Sequence, residues 1–167
     1  MSFSSPLPDV AIPEQLLTEV VLRHASTRPE KAALVDGPTG RTLTYGELDD
    51  AVRRFAGGLA ARGIGPGSVV GIMAPNLPEY AVVFLGTAYA GAAVTTINPT
   101  YTAPEVHHQL VDSEARLLVT VGAFLDTARS GAEDTGVEAI FTLDSVEGVE
   151  SFGALLGEPL GEPVEIG

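Results

Sequence analysis

The sequence predicts an α/β domain: a doubly wound, mostly parallel sheet flanked by helices on both faces. Three observations carry this reading. Short β-branched runs alternate with helical patterns along most of the 167 residues. Several helical patterns open with Thr or Asn three residues ahead of Glu, the spacing of a capping box. Apolar residues make up 45% of the chain, enough for one core in a domain of this size. Strand–helix alternation of this kind implies parallel strands joined by crossovers.

Residues 1–11 read as a loose lead-in and residues 12–156 as the α/β unit. Residues 157–167 read as an acidic, Gly/Pro-rich tail. The first helical pattern opens at Ile12-Pro13-Glu14, places Leu16, Leu17, Val20 and Val21 on one face, and stops near Arg28-Pro29. Lys31–Asp36 and Arg41–Thr44 are short strands around the turn signal Asp36-Gly37-Pro38-Thr39-Gly40, so they predict a hairpin. Thr44 and Glu47 then cap a helix carrying Leu48, Val52, Phe55, Leu59 and Ala60, which Gly63 is placed to end. The grammar repeats with Asn76 and Glu79 around Pro78, and with Thr102 and Glu105. The intervening strands are Ser68–Ala74 and Ala92–Asn98. After them come a strand at Arg116–Val121, a helix at Ala123–Arg129, a strand at Glu138–Leu143 and a short last helix from Ser151.

The helix over 78–91 is apolar nearly all round, the mark of a buried helix rather than an amphipathic one. Its small residues, Gly86, Ala88, Ala90 and Gly91, let another backbone approach. Gly86 and Gly91 have the G-x-x-x-x-G spacing of a phosphate loop, but Ala92 and Ala93 follow where Lys and Ser/Thr are needed, and the stretch lies within a helix. Gly63-Ile64-Gly65-Pro66-Gly67 precedes a strand, whereas a dinucleotide fingerprint follows one.

The formal net charge is −13, which disfavours nucleic acid and anionic membranes as partners. Arg129 is the last basic residue and nine acids follow it, a pattern usual for a solvated surface. There is no cysteine, hence no disulfide, thiolate metal site or cysteine nucleophile. No apolar run approaches the about 20 residues that span a bilayer, and the N-terminus lacks the basic-then-apolar pattern of a secretory signal. A cytoplasmic protein is the expectation.

The residues alone assemble no active site. His24 lies near a helix end. His107 and His108 are adjacent on a helix and cannot share one ligand, while His108 and Asp112 share a face but lack a third ligand. Asp49-Asp50 and Glu133-Asp134 read as exposed polar faces, Lys31 as an exposed lysine, and G-x-S-x-G is absent. No metal site and no catalytic residue are predicted.

The order of motifs adds to this reading. The stretch Leu43 to Thr120, from LTYGELDDAVRRF to SEARLLVT, resembles the N-terminal part of the adenylate-forming acyl-CoA synthetases. LTYGEL (Leu43–Leu48) resembles that superfamily's first core motif and GTAYAGAAVTTINP its second. IPEQLLTEVVLRHA and TTINPTYTAPE are most similar to the 4-coumarate:CoA ligase branch. The resemblance covers about Ile12 to Leu143. It implies a two-step reaction, in which a carboxylate attacks the α-phosphorus of ATP and the CoA thiol then attacks the acyl-adenylate, with Mg²⁺ offsetting phosphate charge. The carboxylic acid, ATP and CoA would be the small-molecule partners.

The family's Ser/Thr/Gly-rich phosphate loop ending in Pro-Lys, its adenine- and ribose-contacting motifs and its C-terminal catalytic lysine are not in this sequence; Lys31 does not match that lysine's context. The resemblance therefore implies an N-terminal fragment, inactive alone and inclined to self-associate through uncovered apolar surface. It also implies that Asn98, Pro99, Thr100 and Tyr101, after the second motif, lie near the CoA entrance. The residues themselves read first as a strand-ending turn, with Tyr101 packed on the next helix. Two other readings stay open: a fatty rather than aryl acid, and a non-catalytic α/β binding module.

Overall fold

The chain winds through five α-helices and six strands in the described residues, 6–8, 10–11 and 14–165 of a computed structural model. In order these are α1 (Leu17–Leu22), β1 (Ala32–Val35), β2 (Thr42–Thr44), α2 (Tyr45–Ala61), β3 (Val69–Met73), α3 (Pro78–Tyr89), β4 (Ala93–Thr96), α4 (Ala103–Ser113), β5 (Ala115–Thr120), α5 (Leu125–Ala132) and β6 (Ala139–Thr142). Short 3₁₀ turns occupy Gly122–Phe124 and Phe152–Leu155. Much of the expected lead-in, and the expected first-helix opening at Ile12-Pro13, lie outside the described residues.

The sheet has the order β4-β3-β5-β6 and is parallel throughout. Val70, Ile72, Leu117, Val119 and Phe141 face one side, where Val52, Phe55, Leu59 of α2 and Val83 of α3 cover them. Met73, Leu118 and Ile97 face the other, under Val106 and Leu110 of α4 and Ala128 of α5. Helices thus cover both faces, as strands with near-continuous apolar runs require. β1 and β2 form a separate antiparallel hairpin with a bulge between Ala32 and Leu34. Its turn closes through the Gly40 N–H on the Asp36 carbonyl at 2.8 Å.

The capping pattern holds at two helices and fails at a third. Thr44 caps α2, accepting from the Glu47 N–H at 3.3 Å while its own N–H donates to the Glu47 carboxylate at 2.8 Å. The chain leaves that helix through Gly63 at φ +69°. At α4 both the N–H and the hydroxyl of Thr102 donate to the Glu105 carboxylate, at 2.8 and 2.7 Å. At α3 the residue before the helix is Leu77, not Asn76, and no side chain caps it. Pro78 fixes the first helical position, so Glu79 sits too early to reach back. It pairs instead with Arg41 of the hairpin at 2.6 Å.

Two expected helices are shorter. α1 covers only Leu17–Leu22 and dissolves into turns through Thr27, with the Ala25 N–H on the Leu22 carbonyl at 2.8 Å. Six residues cannot sustain a helix by propensity alone, and Thr18 and Leu22 are the buried pair that hold it. The expected helix from Ser151 is the single 3₁₀ turn Phe152–Leu155, which seats Phe152 on Phe55 with ring centroids 5.5 Å apart. Beyond it, residues 157–164 run back across α2 towards α3. The amides of Gly157, Leu160 and Val164 donate to the carbonyls of Arg54, Arg53 and Tyr89 at 2.9–3.0 Å.

α3 is buried along Val82, Val83, Leu85, Gly86, Thr87 and Tyr89. The small residues have a local reason: a Cβ on Gly86 would lie 2.7 Å from the Phe55 ring and 3.0 Å from the Val52 carbonyl oxygen. α2 and α3 can approach this closely only because that side chain is missing.

Candidate functional site at the carboxyl edge of the sheet

β3 and β4 lie side by side, with Ile72 opposite Thr96. Their exits diverge: β3 leads into α3 on one face and β4 into α4 on the other. Such a divergence is a topological switch point, where open parallel sheets place ligands beyond the strand ends. A crevice opens there, lined by Ala74, Pro75 and Asn76 after β3, Tyr80 of α3, and Thr96, Ile97, Asn98 and Pro99 after β4.

Two of the four residues singled out from the sequence, Asn98 and Pro99, line this crevice; Thr100 and Tyr101 continue past it. The segment is a side-chain-stabilised turn. The Asn98 Oδ1 accepts from the Thr100 N–H at 3.0 Å and from the Thr100 hydroxyl at 2.9 Å, and the Tyr101 N–H donates to the Asn98 carbonyl at 3.0 Å. This is the turn chemistry that Asn-Pro announces. Tyr101 is exposed. Asn76 and Tyr80 escaped the sequence reading. Their only signal is position: each follows β3 closely, and nothing in the sequence says that β3 neighbours β4.

The other candidates separate. Asp49 and Asp50 are not a carboxylate pair but two ion-pair partners, to Arg53 at 2.9 Å and Arg54 at 2.8 Å, each one helical turn on. Lys31, His108, Glu133 and Asp134 are exposed, and His107 is half-buried on α4. No group of three or more His, Asp or Glu side chains is placed to hold a metal ion among the described residues.

The perturbed carboxylates are structural. The backbone and hydroxyl of Thr44 hold Glu47 below the usual carboxylate range, and the hydroxyl and backbone of Thr102 do the same for Glu105. The Arg116 guanidinium lowers Glu138. At Glu79 partial burial, the largest single influence, pushes the carboxyl up, but the hydrogen bond from Arg41, the Glu79 backbone N–H and the Arg41 charge together outweigh it and the net direction is down.

Ala74-Pro75-Asn76-Leu77 contains neither glycine nor lysine, and its proline has no N–H to offer. The Gly122 N–H after β5 already donates to Asp144 at 2.7 Å. Gly86 lies inside α3, and the Gly91 N–H donates to the Ala88 carbonyl at 3.0 Å. What the crevice offers is one exposed amide on each wall, Asn76 and Asn98, beside the Tyr80 ring.

A parallel sheet covered on both faces, with an open crevice at its switch point, is the architecture of small-molecule-binding α/β domains. The sequence model of the family described as AMP-binding enzyme matches residues 21–157; the chain belongs to that family. It is 40% identical over 154 residues to 4-coumarate–CoA ligase 5 of Oryza sativa, covering 92% of this chain and 28% of the relative. With 4-coumarate–CoA ligase 1 of Petroselinum crispum it shares 34% identity over 165 residues, 98% of this chain and 30% of the relative. Among solved structures, a benzoate CoA ligase from Burkholderia xenovorans superposes with a TM-score of 0.80 at 28% identity, over 90% of this chain and 30% of that one. The chain thus spans under a third of the length of these relatives.

No helix of the described residues is long and apolar enough to cross a membrane.

Proposed function

We propose that this chain is the N-terminal part of an AMP-forming carboxylic acid:CoA ligase whose acid is a hydroxycinnamate or another aryl acid. The observation that supports this reading is the 40% identity over 154 residues to a 4-coumarate–CoA ligase. In such a ligase a carboxylate oxygen attacks the α-phosphorus of ATP and pyrophosphate leaves. The CoA thiol then attacks the acyl carbon, and AMP leaves with the electron pair of the broken C–O bond.

The chain's share in this is scaffolding. It supplies a parallel sheet whose carboxyl edge carries a crevice, and two helix layers that fix it. With no Ser/Thr/Gly-rich loop ending in Pro-Lys in its sequence, the 167-residue chain alone is inactive. The turn Asn98-Pro99-Thr100-Tyr101 flanks the path of CoA. The groove between α1, the hairpin and α3, lined by Leu17, Val20, Leu34, Tyr80, Ala81 and Phe84, is apolar surface through which the isolated chain self-associates.

ATP–pyrophosphate exchange tests the reading, run on the natural gene product and on the 167-residue chain with 4-coumarate, benzoate and a long-chain fatty acid. The expected result is exchange with the aryl acids by the gene product and none by the short chain. Exchange by the short chain would overturn its assignment as a scaffold, and a preference for the fatty acid would overturn the aryl assignment. Tyr101→Ala in the gene product is expected to raise KM for CoA and leave the exchange reaction unchanged. A change in exchange alone would remove the turn from the CoA path.

A further inference from the structure

The segment crossing α2 is attached by unusual means. Leu155 is fully buried and anchors its start. Past that point no side chain is fully buried: Leu156 is exposed, and Leu160, which packs on the edge of the core, and Val164, which sits against Gly91, are half-buried. The holding contacts are backbone amides on helix carbonyls, from Gly157 to Arg54, Leu160 to Arg53 and Val164 to Tyr89.

Such contacts need a helix with a bare flank. α2 has one at Gly57-Gly58, two adjacent glycines in mid-helix, each costing about 1 kcal/mol relative to alanine. A Cβ on Gly57 would overlap the Glu158 carbonyl oxygen, and one on Gly58 that of Leu155. The glycine pair is therefore the seat of the segment. Arg53 completes the attachment. Its Nε donates to Asp49 at 2.9 Å, its guanidinium lies 5.2 Å from the centre of the Tyr89 ring, and its Nη1 donates to the Leu160 and Gly161 carbonyls. The Tyr89 hydroxyl donates to the same Gly161 carbonyl at 3.2 Å.

The segment also forms one wall of a cavity. Thr18 and Arg23 of the α1 region, Asp49 and Arg53 of α2 and Tyr89 of α3 make the other walls, and Gly161 to Pro163 complete a pocket of about 400 Å³ that is open to solvent. Its lining mixes polar groups with Leu22 and Ala25, and the buried Thr18 hydroxyl has no partner.

We infer that residues 156–164 are a strap that opens locally while the sheet stays folded, removing one wall of this pocket, and that Gly57, Gly58 and Arg53 are its latch. The physical ground is the contrast in attachment. Segments held by exposed hydrogen bonds and little apolar burial open at low free energy, and core strands open only with the whole domain. β3 and β5 are core by this criterion, with Val70, Ile72, Leu118 and Val119 fully buried.

Hydrogen exchange on the full 167-residue chain reads this directly, because the Gly157, Leu160 and Val164 amides each report one strap contact. The expected result is exchange more than about tenfold faster at these amides than at Ile72 and Val119. In Gly58→Ala the strap amides should lose their remaining protection while Ile72 and Val119 keep theirs. Arg53→Gln, which leaves the glycine seat intact, should widen the gap in the same direction and stands in if Gly58→Ala does not fold. Strap and core amides exchanging at one rate would overturn the inference, as would variants that accelerate both sets equally.

Discussion

The two faces of the sheet are covered in different ways. On one face α3 is covered by α2 beside it and in part by α1, with an apolar groove left open between α1, the hairpin and α3. On the other face α4 buries only Val106 and Leu110 and leaves Val111 half exposed. The first face is a stack of layers and the second a single layer against solvent. A helix between two layers must be apolar on several sides, whereas one at the surface needs only a stripe. The difference teaches that the hydrophobic pattern of a helix reports how many neighbours it has, not only that it is a helix.

Substitutions in the two layers should sharpen this contrast. Phe55→Ala removes a fully buried ring that packs on Gly86 and Phe152, and should cost about 3–5 kcal/mol in urea unfolding. Val111→Ala on α4 should stay within about 0.5 kcal/mol. Equal effects would erase the distinction between the layers. Gly86→Ala tests the close approach of α2 and α3. Alanine favours a helix by up to about 1 kcal/mol over glycine, but its methyl meets a ring and a carbonyl oxygen, so a net loss of about 1–3 kcal/mol is expected. Net stabilisation would show that α2 can yield.

The capping box of α4 is a smaller lever. Thr102→Ala should cost about 1 kcal/mol, whereas Asn76→Ala, which caps nothing, should be near neutral in the same unfolding measurement.

A small effect is also expected at the outermost layer. Arg41–Glu79 joins the hairpin to α3, and the Arg41 side chain is 52% exposed. After solvent screening Glu79→Gln should cost about 0.2–1 kcal/mol. The sign of its pH dependence is fixed. The folded state lowers the Glu79 carboxyl below its ordinary 4.5, so the stabilisation is full above that pH and is lost as pH falls through the lower folded value. Acid titration of stability should therefore show a shallower decline below about pH 4.5 in the Gln variant. Identical profiles would mean that the pair contributes nothing.

Much of the element order was legible because it rests on local chemistry. Thr44 with Glu47, and Thr102 with Glu105, start their helices by hydrogen bonds within three residues, so their sequence spacing is already the contact. Asn98-Pro99 announced its turn for the same reason. The pattern misled at Asn76, where Pro78 set the helix start and Arg41, 38 residues away, claimed Glu79. It also misled at α1, where amphipathic spacing ran on past the six residues that tertiary packing supports. The crevice was half legible. Its β4 wall follows from a turn motif, but its β3 wall, Asn76 and Tyr80, joins it only through strand pairing.

By itself the sequence determined the alternation of strands and helices, the buried character of α3 and the likeness to the 4-coumarate:CoA ligase branch. Periodicity, caps and motifs act over a few residues and can be read along a line. Only the tertiary structure decided the order β4-β3-β5-β6, the crevice at its switch point, and the seating of residues 155–164 on Gly57-Gly58. Those depend on which apolar faces meet and how closely two backbones can approach. Contacts between residues about a hundred positions apart, such as Arg53 with Leu160, leave no spacing in the chain to read.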